Sequence, residues 1–173
     1  TSLFTRDDEL DGFFLQEEDA DADGDPATSD GIFVYCRAVC PDVAPGDLAT
    51  VIGGATEFFD MSQIDATGGS ITIDSSGNPL PTPVVVELPA SGSSFDPSTF
   101  ETIEGMHVTF DDTLVVSEYF ELARYGQVVL TTDARPYQFT HTNAPSVEGY
   151  AAFLEALATQ RVILDDDNND QND

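Results

Sequence analysis

The apolar residues of this chain occur in short runs separated by turn-forming residues, and this pattern constrains the fold more than any other feature. The runs GFFLQE (12–17), GIFVYC (31–36) and TPVVVEL (82–88) are bounded by Gly, Asp or Pro, which is typical of β-strands. Further short apolar runs lie at 70–74, 106–110, 113–120, 126–131 and 161–164. Such a series of short strands predicts an all-β fold.

The segment 47–64, DLATVIGGATEFFDMSQI, is too long for one straight strand. Glycine inside a strand marks a bulge or a sharp bend, so we expect one at Gly53-Gly54. A long bent strand that crosses between sheets is how small five-stranded barrels turn their corners. The sequence therefore predicts an OB-fold-like β-barrel with additional strands. The alternative is an immunoglobulin-like sandwich, which the absence of Trp disfavours.

One segment near the end of the chain has helical periodicity. Ser146 is placed as an N-cap, and the helix is expected at about 146–159. Its apolar residues recur at helical spacing: Val147, Tyr150, Ala151, Leu154, Leu157 and Ala158. With this single C-terminal helix, we expect one barrel domain over residues 1–164, followed by an acidic linker or tail, DDDNNDQND, over 165–173.

The chain is strongly acidic, with 33 Asp and Glu residues against five basic residues, all Arg, and a formal charge of −28. Such a surface repels phosphate backbones and anionic lipids, which argues against unaided binding to nucleic acid or membranes. No apolar run approaches the roughly 18 residues that span a bilayer. Two explanations of the acidity are compatible: adaptation to salty water, in which charges are screened, and the binding of divalent cations.

The most specific motif is the acidic stretch DADADGDPATSD (19–30). It matches D-x-D-x-D-G with an acid at position twelve, the spacing of a calcium-binding loop. Alternate side chains of a tight loop converge on one point, and Gly24 allows the turn that brings the later ligands round. The sequence therefore predicts a Ca²⁺ site whose ligands are Asp19, Asp21, Asp23, Asp25 (through its backbone carbonyl) and Asp30.

The loop also departs from the helix–loop–helix pattern. Its flanks are predicted strands, Pro26 stands at a position that is normally apolar, and Asp30 replaces the usual Glu. A merely solvated acidic turn is the alternative interpretation. A second acidic cluster, 165–169, lacks the closing Gly and a distal acid, so a charged linker explains it better.

The two cysteines, Cys36 and Cys40, lie close together in CRAVC. A small loop between strands can bring them within bonding distance, so we expect a disulfide and an oxidising compartment. Free thiols or a metal-bound pair are the alternatives. A metal site would need further soft ligands, and the two histidines are far away in the sequence.

No catalytic constellation is evident in the sequence, so the domain itself is not expected to be an enzyme. His107 and His141 are interpreted as surface or structural histidines. Adjacent acidic pairs such as Glu17-Glu18 and Asp111-Asp112 are expected to diverge, as in ordinary charged turns.

Aromatic residues offer the one feature that suits single-stranded nucleic acid, because bases stack on exposed rings. Neighbouring strand residues point to opposite faces, so one ring of Phe13-Phe14 and one of Phe58-Phe59 should lie outside the core. We therefore take Phe14 and Phe59 as possible ligand-stacking residues. Five arginines do not supply a basic groove in this acidic chain, so any binding should be weak and cation-dependent.

Long stretches of the chain resemble a known domain family. They are GFFLQEEDADADGDPATSDGIFVY (12–35), PGDLATVIGGATEFFDMSQI (45–64), PTPVVVELP (81–89), EGMHVTF (104–110), YFELARYGQVVLTT (119–132) and RVILDDDNNDQN (161–172). Together they resemble the oligonucleotide-binding-fold domain of large secreted bacterial nucleases that end in an endonuclease/exonuclease/phosphatase catalytic domain.

The resemblance implies a secreted parent hydrolase whose catalytic nuclease domain follows the acidic tail and is this domain's partner. That family's pattern begins with a V-x-G-x-V strand, of which only the tail, 1–6, is present. The first strand should then leave an open sheet edge through which copies could self-associate. Because the chain opens with Thr1 rather than Met, we expect processing or excision from a longer protein. Two functions follow: an accessory domain that positions nucleic acid for the catalytic domain, and a calcium-rigidified structural or adhesion module.

Overall fold

The structure is a computed structural model that describes residues 2–6 (backbone only), 10–88 and 97–166. The chain forms two compact units. Unit 1 comprises Thr1–Val84 and Ser98–Thr109, and unit 2 comprises Val85–Pro97 and Phe110–Asp173.

Unit 1 is built around a five-stranded sheet whose strand order is β1-β2-β3-β5-β4. The strands are β1 (Ser2–Arg6), β2 (Gly12–Gln16), β3 (Gly31–Tyr35), β4 (Leu48–Phe58) and β5 (Met61–Ser75). All neighbouring pairs are antiparallel except β3 and β5, which run parallel with Phe33 opposite Gln63. The apolar runs at 12–17 and 31–36 thus form the two strands predicted for them.

The segment 47–64 is not one long bent strand, as its length suggested, but parts of two strands of a hairpin. Phe58 pairs with Met61, so only Phe59 and Asp60 form the loop. Their φ angles are 51° and 62°, the left-handed values that a two-residue type I′ turn requires. The predicted strand at 70–74 belongs to the same β5.

The expected irregularity at Gly53-Gly54 is confirmed. Ile52 pairs with Ser70 whereas Gly54 pairs with Asp65, so the register of the hairpin shifts at Gly53. A side chain at Gly53 would collide with the backbone carbonyl of Asp65. The glycine is therefore required by close approach of the two strands.

The core of unit 1 lies on one face of this sheet. Phe13 is 2% exposed and Val34 is fully buried, and they cluster with Cys36, Val43 and Ala66. Removing a side chain the size of Phe13 from water contributes roughly 1.5–3 kcal/mol to folding. Phe14, the next residue in the sequence, points to the opposite face of the sheet, because side chains alternate along a strand.

Two short strands form a separate two-stranded sheet, β6 (Val84–Val86) with β7 (Val108–Phe110). The backbone N–H of Val84 donates to the carbonyl of His107 at 2.9 Å. Two 3₁₀ helices, Arg37–Val39 and Pro97–Ile103, were not expected from the sequence.

Unit 2 contains a three-stranded antiparallel sheet of order β10-β9-β8. Its strands are β8 (Leu114–Glu118), β9 (Val128–Thr132) and β10 (Arg161–Leu164), and its helices are α1 (Leu122–Tyr125), α2 (Phe139–Thr142) and α3 (Val147–Ala158). The helix α3 matches the one predicted. The hydroxyl of Ser146 accepts a hydrogen bond from the N–H of Gly149 at 3.1 Å, so Ser146 is the N-cap.

The described residues are therefore rich in β-structure and form three sheets with few helices. A closed barrel would require the two edge strands of the large sheet, β1 and β4, to pair with each other. No such pairing occurs in the parts of the chain that the structure describes, so the sheet is open there and the barrel is not confirmed. The predicted single domain over 1–164 stays a prediction, and most of the predicted tail (167–173) lies outside the described residues.

Candidate metal centre

The acidic loop connects β2 to β3, which are neighbouring antiparallel strands. The N–H of Glu17 donates to the carbonyl of Asp30 at 3.0 Å, so the loop is closed at its base by the continuing strand ladder. Gly24 has a φ of 69°, the left-handed conformation that the sharp turn of a calcium-loop motif requires.

Three carboxylates of this region converge. One oxygen each of Glu17, Glu18 and Asp21 lies within 4.8 Å of the others. Backbone hydrogen bonds to the carbonyl of Glu18 from Asp21 (2.8 Å) and Ala22 (3.1 Å) form the turn that brings them together. Ligands of Ca²⁺ lie at 2.3–2.6 Å from the ion, so oxygens separated by up to roughly 4.8 Å can share one cation.

The residues fit a hard divalent cation by their chemistry. Carboxylate oxygens are the ligands that such ions prefer, and three of them close together repel one another strongly without a cation. No Lys or Arg forms an ion pair with Glu17 or Asp21 in the described part of the chain. The three groups do not by themselves distinguish Ca²⁺ from other divalent cations.

The five aspartates predicted as ligands have different surroundings. Asp21 alone belongs to the converging group. Asp19 is engaged elsewhere: its carboxylate accepts hydrogen bonds from the backbone N–H (2.8 Å) and the hydroxyl of Thr82. These two donors lower the pKa of Asp19 below its usual value.

The other three predicted ligands are linked by hydrogen bonds within the loop. The carboxylate of Asp23 accepts from the N–H of Asp25 (2.7 Å) and from the hydroxyl of Thr28 (3.1 Å). The carboxylate of Asp25 accepts from the N–H of Ala27 (3.0 Å), and that of Asp30 from the N–H of Asp23 (3.4 Å). The loop is thus folded on itself, and the ligand set predicted from the motif stays a prediction.

Sequence reasoning missed Glu17 and Glu18, which were expected to diverge as a charged pair. Glu17 follows the last residue of β2 and makes one further ladder hydrogen bond, to Asp30, before the chain turns at Glu18. The turn at Glu18 then brings both glutamates towards Asp21. The spacing E-E-x-x-D directly after a strand was the available signal.

The disulfide between Cys36 and Cys40 is confirmed, with their Cα atoms 4.9 Å apart. The intervening 3₁₀ turn, Arg37–Val39, shortens the chain between them. The N–H groups of Cys36 and Arg37 both donate to the carbonyl of Asp11, which fixes this turn against the start of β2.

The two residues predicted for ligand stacking lie in different settings. Phe14 is half-buried and its ring packs against Phe33, with centroids 5.1 Å apart. Phe59 is 90% exposed at the tip of the β4–β5 hairpin, where it contacts Phe58 edge-on. Phe58 is itself 57% exposed, so neither ring of this pair is in the core, contrary to expectation.

Both histidines occupy positions with evident structural contacts. The N–H of His107 donates to the side chain of the buried Gln16 at 2.8 Å, and its Nδ1 lies 3.1 Å from the carbonyl of Pro81. His141 lies in α2 and stacks on Tyr137 with centroids 4.5 Å apart.

Among the residues that the structure describes, no helix is long and apolar enough to cross a membrane.

Comparison of the chain with models of protein families, with curated proteins and with solved structures found no match.

Proposed function

We propose that this chain is a non-catalytic accessory domain of a secreted nuclease, stabilised by calcium, which positions nucleic acid for a separate catalytic domain. The observation that carries the cation-dependent part is the convergence of Glu17, Glu18 and Asp21 in a loop with a calcium-loop motif. The nuclease partner rests on the sequence resemblance, whose motifs are long and collinear.

Two further features support parts of this proposal. A disulfide persists in oxidising compartments, which agrees with secretion. The order of the large sheet, with a long β4–β5 hairpin whose register shifts at Gly53, suits a five-stranded, partly open Greek-key barrel in which β4 and β1 would approach each other. We propose that the domain is such an OB-like barrel.

The residues of the loop would hold the ion in a structural role, and the ion would take no part in a reaction. When bound, the cation neutralises the repulsion of Glu17, Glu18 and Asp21 and so makes the β2–β3 connection rigid. Because the acidic surface opposes a polyanion, cation binding also lowers the electrostatic barrier to nucleic acid.

Binding of a fluorescently labelled single strand tests the function. We expect no cleavage by the isolated chain, and weak binding that strengthens when calcium or moderate salt is added, because repulsion must be screened. Phe59→Ala should weaken the binding, whereas Phe120→Ala, which removes another strongly exposed ring, should not. Tight binding in chelator that weakens steeply with salt, or cleavage, would contradict the proposal.

A second function is favoured by the open edges of the large sheet. The edge strand β1 pairs only with β2 in the described residues, and β4 is an eleven-residue edge strand. Edge strands offer unpaired backbone groups to another chain, so a calcium-rigidified structural or adhesion module would assemble there. Concentration-dependent sedimentation distinguishes the two, since this module would self-associate and the accessory domain would remain monomeric.

A further inference from the structure

Unit 2 contains a cleft of about 990 Å³. Residues of all three of its strands, of the segment 135–138 and of α3 line this cleft. Its size falls in the range of small-molecule binding sites, which are mostly apolar with a few polar groups that fix orientation.

Aromatic side chains form a large part of the cleft wall. The buried Phe139 packs against Tyr150 and Phe153, with centroids 5.9 and 5.8 Å apart. Tyr137 is 68% exposed and already stacks on His141, with an interplanar angle of 10°. Tyr137 lines the cleft, and stacking on an aromatic ring tolerates any base.

Positive charge is also concentrated here. The chain has five arginines and no lysine, and two of the arginines, Arg135 and Arg161, line this one cleft. Among the described residues that line the cleft, Glu118 is the only other charged one. In the described parts of the chain, neither arginine forms an ion pair with a carboxylate. In a protein with a net charge of −28, the fold thus leaves two guanidinium groups available beside aromatic rings.

We propose that this cleft binds a nucleotide, with the base against Tyr137 and the phosphate at Arg135 and Arg161. A guanidinium group matches phosphate oxygens through two parallel hydrogen bonds, and a ring face binds the base. The nucleotide is either free or the end of a single strand. In the second case the proposal deepens the proposed function and rests on it, because it names a contact with nucleic acid besides Phe59. The mononucleotide case stands on the cleft alone.

Calorimetric titration with thymidine 5′-monophosphate, in chelator so that the acidic loop plays no part, tests the proposal. We expect measurable binding of the monophosphate, with thymidine and inorganic phosphate each weaker. Arg135→Gln and Arg161→Gln should each weaken monophosphate binding about tenfold, the effect of losing a charged hydrogen bond. Arg124→Gln removes an arginine of the same unit that does not line the cleft, so this control should bind normally.

Aromatic variants provide a second readout that does not depend on charge. Tyr137→Ala should weaken the monophosphate and thymidine alike, whereas Tyr119→Ala, which removes an exposed ring outside the cleft, should leave both unchanged. Melting temperatures of all variants verify that they fold. Absence of monophosphate binding at millimolar concentration, or binding equally weakened by Arg124→Gln, would overturn the proposal.

A labelled oligothymidine strand, titrated with calcium present, separates this proposal from the proposed function. Strand binding that is insensitive to Arg135→Gln and Tyr137→Ala would reject the cleft and leave the accessory function standing. Binding of the monophosphate without binding of the strand would support the cleft and count against the accessory function.

Discussion

Thr82 donates two hydrogen bonds to Asp19, one from its backbone N–H at 2.8 Å and one from its hydroxyl. The two residues are 63 positions apart in the sequence, so this contact fixes the acidic loop to the segment that precedes β6. The same two hydrogen bonds occupy the carboxylate of Asp19, the first of the aspartates that the motif predicts as calcium ligands.

The first prediction concerns acid sensitivity. Hydrogen bonds from Thr82 lower the pKa of Asp19 in the folded protein. The stability that they confer is therefore fully present above the ordinary aspartate pKa of about 3.9 and is lost as the pH falls through the lower folded-state pKa. Thr82→Val removes the hydroxyl, so the pKa of Asp19 should rise towards its ordinary value in an NMR titration of the carboxyl carbon.

A matched control exists in the same unit. Thr67 donates its N–H and its hydroxyl to Asp65 in the same way and lowers the pKa of that carboxyl. Thr67→Val should raise the pKa of Asp65 and leave Asp19 unchanged. An unaltered Asp19 titration in Thr82→Val would show that the hydroxyl bond does not form in solution.

The second prediction uses the glycine pair of the hairpin. A methyl group at Gly53 would meet the carbonyl of Asp65 and the side chain of Ile64, whereas one at Gly54 would meet nothing within 4 Å. Gly53→Ala should lower the free energy of unfolding by about 1–3 kcal/mol, and Gly54→Ala should be neutral or raise it by up to about 1 kcal/mol. Urea unfolding measures both, and equal effects would place the bulge elsewhere.

The third prediction concerns the hairpin turn. Asp60 has a φ of 62°, and type I′ turns favour glycine at this second position. Asp60→Gly should therefore raise the free energy of unfolding by up to about 1 kcal/mol. Asp42 is also exposed but lies outside the left-handed region, so Asp42→Gly should not stabilise. Destabilisation by Asp60→Gly would argue against this turn.

The fourth prediction concerns the disulfide. The cross-link closes a very short loop, and its reduction should cost about 2 kcal/mol by restoring freedom to the unfolded chain. Cys36 is fully buried in the core of unit 1 whereas Cys40 is half-buried. Cys36→Ala should therefore cost more than Cys40→Ala in urea unfolding, although both remove the same bond. Equal losses would show that the bond alone accounts for the effect.

How much the sequence could predict depended on whether the signal was local. The strands at 12–16 and 31–35, the bulge at Gly53, the helix capped by Ser146 and the disulfide all follow from neighbouring residues. The turn at Phe59-Asp60 escaped prediction because it lacks the glycine that marks a type I′ turn: Asp tolerates positive φ, whereas Phe normally does not. The long segment 47–64 was consequently interpreted as one strand.

The candidate metal centre shows the same limit. The motif correctly indicated an acidic loop with a turn at Gly24. It could not reveal that Thr82, which is distant in sequence, engages Asp19. Nor could it show that the turn at Glu18 brings Glu17 to Asp21, because that depends on where β2 ends. Long-range pairing, rather than composition, decides which carboxylates converge.

The fifth prediction tests the central claim, that the acidic loop binds calcium in the folded state. A ligand that binds only the folded state adds about 2.7 kcal/mol at a hundredfold excess over its Kd, which corresponds to several degrees in Tm. Asp21 belongs both to the motif and to the converging group, so Asp21→Asn should abolish the shift. Asp112→Asn, an exposed acid outside the loop, is the matched control.

Two further variants identify the ligand set. If the converging group holds the ion, Glu17→Gln should reduce the calcium shift more than Asp23→Asn, and the reverse order would favour the motif's set. The most direct measurement is the Tm of the wild type and of Asp21→Asn, each in excess calcium and in chelator. We predict a rise of several degrees with calcium in the wild type and none in Asp21→Asn. Identical melting of the wild type in calcium and in chelator would contradict the calcium site.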